Sequence, residues 1–89
     1  MIKILKADYL HDKVIRLEFS DGTQGDYDLQ PLIEQGTEMV APLANDAFFR
    51  QFFLELGALC WPNGFDLSAR GIQHRMKERN KLKSIGEAA

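Results

Sequence analysis

The stretch from Val14 to Asp28 constrains this chain more than any other part of it. Ile15, Leu17 and Phe19 alternate with Arg16 and Glu18, the period-two pattern of a strand with one buried and one wet face. Ser20-Asp21-Gly22 supplies a turn, and Thr23 to Asp28 runs on as the next strand. A two-residue Asp21-Gly22 loop would set Leu17 against Asp26 and Ile15 against Asp28, bringing carboxylates to the apolar face. A three-residue loop with Gly22 left-handed, as a G1 bulge, moves the pairing by one residue. Phe19 then faces Thr23, Leu17 faces Gly25 and Ile15 faces Tyr27, while Arg16 meets Asp26 on the solvent side. A one-residue slip carries a whole strand's side chains to the wrong face, so the pattern predicts the three-residue loop.

Ahead of this hairpin, Ile2 to Ala7 reads as another strand, with Asp8 to Lys13 as a polar turn. Beyond it, Asp28 caps a short helix over Leu29 to Gln35, with Pro31 in its first turn and Gly36 as its stop. Thr37 to Ala44 lacks a period and contains Pro42, which makes it a connector. Asn45 caps a helical turn from Asp46 to Gln51, and Phe48, Phe49, Phe52 and Phe53 mark the core. Phe52 to Leu56 and Ala58 to Trp61, broken by Gly57, predict a second hairpin. Pro62-Asn63-Gly64 turns the chain, and Asp66 or Ser68 caps a last helix from about Ala69. Ile72 and Met76 lie one turn apart, but Leu82 and Ile85 are out of phase, so docking is expected to about Met76 and fraying after it.

Eighty-nine residues leave room for a single core. The expected fold is a small α+β domain, mostly antiparallel sheet in the order β-β-β-α-α-β-β-α with a C-terminal helix, over residues 1–76. Residues 77–89 follow as a basic, partly frayed tail. Net charge −2 and 45% hydrophobic residues fit an ordinary globular protein and argue against coating nucleic acid through overall charge. A single cysteine, Cys60, permits neither an internal disulfide nor a multi-cysteine zinc site. No apolar run reaches the roughly 18 residues of a membrane span, and Met1 to Lys6 carries charges where a signal peptide is apolar. These features predict a cytoplasmic protein without membrane contact.

No group declares a chemistry. Cys60 lies in an apolar run and reads as a buried, inert thiol. His11 and His74 have no second ligand at metal spacing. Asp21, Asp26 and Asp28 are accounted for by a solvated hairpin and a helix cap, and the glycines form no phosphate-cradling loop. No catalytic residue, metal or cofactor is therefore assigned. Trp61, Asn63 and Asp66 form a candidate binding turn, although Asn-Gly suits positive φ, Asp66 a cap and Trp61 the core.

Charge is the uneven feature: residues 1–69 carry five basic and eleven acidic side chains, whereas Arg70 to Lys83 carry six basic ones against Glu78 alone. Arg75, Lys77, Arg79, Lys81 and Lys83 are candidate partner contacts, for an acidic protein or for phosphates, or else a solubilising tail. Their spacing of two wraps them around a helix.

The segments Leu17 to Gly22, Asp28-Leu29, Leu43 to Phe49 and Trp61-Pro62-Asn63-Gly64-Phe65-Asp66-Leu67 occur in an order that resembles the bacterial family catalogued as domain of unknown function 2442, over roughly residues 2 to 75. The resemblance implies a compact accessory domain, found alone, fused to DNA-binding segments, or encoded beside another small protein in a toxin-antitoxin-like arrangement. It implies no catalytic residue. The expected function is an interaction or regulatory module without catalysis, antitoxin-like in its partnership with another small protein or with its own copy. A nucleic-acid-associated domain using the basic C-terminal helix, and a small enzyme whose site no motif marks, stay open as alternatives.

Overall fold

A computed structural model describes residues 1–85. The meander β1 (Ile4–His11), β2 (Val14–Phe19) and β3 (Thr23–Asp28) is joined by β7 (Leu82–Ser84) in a sheet of order β1-β2-β3-β7. A second sheet, β4 (Phe53–Glu55), β5 (Ala58–Cys60) and β6 (Asp66–Leu67), is a three-stranded antiparallel meander. Between them in the chain run α1 (Gln30–Glu34), a 3-10 turn (Ala41–Ala44) and α2 (Asp46–Phe49), and α3 (Ala69–Glu78) precedes β7. Every strand pair is antiparallel, so the domain is α+β.

The register follows from parity. Leu17 pairs with Gly25, Ile15 with Tyr27 and Arg16 with Asp26, and Gly22 sits at φ +84°. Ile15, Leu17, Phe19 and Tyr27 are consequently buried together, with Ile72 and Met76 of α3 in the same core. Gly25 matters to that packing, because a Cβ there would lie 1.9 Å from the Lys81 carbonyl oxygen.

Two caps fall where residue chemistry places them: Asn45 Oδ1 accepts from Phe48 N at 3.0 Å, and Ser68 Oγ from Gly71 N at 3.1 Å. At α1 the N-cap is Leu29, whose side chain has no group to cap with, and the expected cap Asp28 stands one residue earlier, its Oδ1 accepting from Gln30 N at 2.9 Å. Trp61 is 1% exposed and joins Phe49, Phe52 and Phe65 in an aromatic cluster, with centroids 5.9 to 6.4 Å apart.

Four other expectations need correction. The first strand runs on to His11 rather than ending at Ala7, and the turn is confined to Asp12-Lys13, with Asp12 at φ +47°. Tyr9 reaches Phe49 with ring centroids 6.2 Å apart, and this contact repays extending the strand through a polar stretch. Of the four phenylalanines, Phe49 alone is fully buried; Phe53 stands 43% exposed. Asp66 belongs to β6, leaving the cap to Ser68. Finally, the segment expected to fray past Met76 continues as helix to Glu78 and then as β7, whose Leu82 faces Gly25 and packs on the core. Leu82 is out of phase with the helix because it belongs to a strand. The last four residues of the expected tail lie outside the described residues.

Candidate functional site

The five basic residues of the C-terminal segment do not act as a unit. Arg75 and Arg79 lie on α3 and at its C-cap, four residues apart and so on one helix face. Both turn to Tyr27: Arg75 Nη1 donates to its hydroxyl at 3.2 Å, and the Arg79 guanidinium lies 5.4 Å from its ring centroid. Arg79 also donates to the Asp28 carbonyl at 2.9 Å. These two side chains fasten helix to sheet. Lys77, Lys81 and Lys83 are exposed, and among the described residues none is within ion-pair distance of a carboxylate.

The turn around Trp61 is occupied by its own fold. Trp61 Nε1 donates to the Phe49 carbonyl at 2.9 Å. Asn63 Nδ2 donates to the Met39 carbonyl at 3.0 Å, while its Oδ1 accepts from Phe65 N at 3.2 Å. Asp66 is exposed on β6, opposite Cys60. Burial pushes the Cys60 thiol up from its ordinary value, and the carboxylates of Asp66 and Glu55 push the same way, so the thiolate is disfavoured.

The remaining titratable groups are dispersed. Asp26 holds Arg16 at 2.9 Å, and Asp28 accepts from Gln30 N just ahead of α1. Asp21 is held below the usual carboxylate range, chiefly by the Thr23 hydroxyl at 2.6 Å and further by the Gln73 amide at 2.8 Å. Lys13 is nearly buried, over the Phe49 ring and paired with Asp46, whose pKa that pairing lowers. His11 meets Asp12, and His74 meets Glu78. Among the described residues no group of three or more His, Cys, Asp or Glu side chains has metal-binding geometry, no buried side-chain nitrogen or oxygen lacks a hydrogen bond, and no helix is long and apolar enough to cross a membrane.

Several concave surfaces remain, two of which bear on the charged and apolar candidates. On the solvent face of the large sheet an open depression of about 720 Å³ includes Arg16, Asp26, Asp28, Lys81 and Lys83, a mixed-charge surface. At the other end, a groove of about 590 Å³ runs between Ile2, the β4–β5 turn (Leu56, Gly57, Ala58) and the start of α3 (Ala69, Arg70). No carboxylate lines it. That turn is a two-residue loop with both residues left-handed, Leu56 at φ +51° and Gly57 at φ +79°. Such a loop favours Asn-Gly, and leucine pays a steric penalty there of roughly 1–2 kcal/mol. The Leu56 side chain recovers nothing inside the fold, being 92% exposed. Sequence reading missed this groove; the available signal was Leu56-Gly57 at a hairpin tip where a polar residue is the norm.

The model of the family described as "Protein of unknown function (DUF2442)" matches residues 4–78, and the chain belongs to that family. No curated protein and no solved structure matches the chain.

Proposed function

We propose that this DUF2442 member is a protein-interaction module that works by binding rather than by turnover, in an antitoxin-like partnership with another small protein. Leu56 carries this reading: a large apolar side chain is displayed to solvent in a left-handed conformation that it disfavours. Polar groups elsewhere support the same reading, because Asn63, Asp21, Arg75 and Arg79 are spent on fastening the fold. The test is affinity purification from the native host after crosslinking, followed by reconstitution from the purified chain and the purified candidate. A saturable complex of defined stoichiometry is expected. A chain that reconstitutes with no candidate at micromolar concentration overturns the reading.

A second reading rests on three exposed cations, Lys77 on α3, Lys81 just before β7 and Lys83 within it, none of them paired with a carboxylate among the described residues. They suit phosphate contacts, as in a nucleic-acid-associated accessory domain. Retention on DNA that falls steeply with salt, and is lost when all three are changed to glutamine, distinguishes this reading from the first.

A further inference from the structure

The groove beside Leu56 is lined mostly by apolar groups, with a cation at its edge. It is lined by Ile2, Leu56, Ala58 and Ala69 among others, and the cations beside it, with no carboxylate in the lining, decide what charge an occupant must bring. Arg70, at the exposed start of α3, borders one side. Lys3 borders the hairpin tip, since a Cβ on Gly57 would lie 2.6 Å from the Lys3 Cβ and Cγ. Both cations are exposed, and among the described residues neither is paired with a carboxylate. An occupant therefore needs apolar side chains for Leu56, Ile2 and Ala58, and negative charge beside them.

Resting on the reading of the chain as an interaction module, we propose that this groove takes an acidic amphipathic segment of a partner protein. Its apolar face covers Leu56, and its flanking carboxylates meet Lys3 and Arg70. The conformational cost of Leu56 then makes sense as a contact held outward by a rigid turn, presented without further loss of backbone freedom on binding.

Random peptides of about 16 residues, long enough for four helical turns, displayed on phage and selected on the full chain, test this directly. Selected sequences should combine leucine or phenylalanine at i, i+3 or i+4, and i+7 with aspartate or glutamate beside them. Fluorescence anisotropy with the synthesised winner should show Leu56→Asn weakening it by about tenfold or more, the scale of one lost apolar anchor. Arg70→Glu should weaken it severalfold, with Arg70→Lys largely restoring it. Leu56→Asn should at the same time raise the melting temperature of the free chain, since asparagine accepts the left-handed conformation, so lost binding is not lost folding. No enrichment, enrichment of basic peptides, or equal binding by Leu56→Asn overturns the proposal. A concentration-dependent dimer in light scattering that Leu56→Asn abolishes overturns it in favour of a second copy. If the reconstituted partner binds Leu56→Asn as well as the unaltered chain, the groove is wrong and the interaction-module reading stands.

Discussion

At the β2–β3 turn, Gly22 supplies the positive φ, Asp21 accepts from the Thr23 amide and hydroxyl, and Gln73 reaches across from α3 to donate to both Asp21 and Thr23. At the β4–β5 turn, Leu56 and Gly57 adopt the same left-handed region, with no side-chain hydrogen bond from Leu56 and its side chain in water. One turn is built from residues suited to its backbone and sewn to the core. The other keeps a residue that its backbone disfavours and leaves it unsupported. Conformation at the first turn is explained by folding alone; at the second it is not, and a role beyond folding is the physical reason to look there.

The comparison is tested most severely through the aromatic core at the far end of the β4–β5 hairpin. Trp61→Ala removes the centre of the aromatic cluster and strands the Phe49 carbonyl, for an expected loss of about 3–5 kcal/mol. Urea denaturation measures it, and an unchanged midpoint would mean that β5 is not anchored through Trp61 at all. Gln73→Ala unfastens the first turn from α3 while leaving Gly22 in place; the expected loss is about 1–2 kcal/mol. A loss within error would show that the turn stands on its own local bonds, and the contrast between the turns would narrow. Leu56→Asn should instead gain about 1 kcal/mol, by relieving the left-handed leucine. If it destabilises the chain, Leu56 serves the fold and the two turns are alike.

The smallest effect is the pH dependence of the first turn. The Asp21 carboxyl is held below its unfolded value, so the stability it contributes is complete above the ordinary carboxylate range of about pH 4 and is lost as pH falls through its lowered pKa. Asp21→Asn should flatten the acid limb of the melting temperature over that range while leaving the neutral plateau to report the hydrogen bonds alone.

How far these regions could be read from residue order alone follows the range of the forces that shape them. The β2–β3 register was legible because strand parity and one glycine decide it locally. The Asn45 cap was legible for the same reason, whereas the last helix left Asp66 and Ser68 open until β6 claimed Asp66. β7 was not, since Leu82-Lys83-Ser84 has one apolar side chain and becomes a strand through β3, nearly sixty residues earlier in the chain. Of the basic candidates, Arg75 and Arg79 carried a readable signal in their four-residue spacing, but their shared target, Tyr27, is visible only after folding. The Leu56 groove needs three separate segments, Ile2, the hairpin tip and the start of α3, to meet.

The bare backbone of Gly25 has a further consequence in time. It leaves the seat into which the chain segment around Lys81 settles, directly beside Met76. As the polypeptide emerges from the ribosome, the β1–β2–β3 meander is complete long before that segment appears. Until then the Gly25 seat is an open seam, with the apolar side chains around Leu17 and Tyr27 reachable from outside. Closing that seam thus falls to a short strand that has little reason to form until β3 is in place.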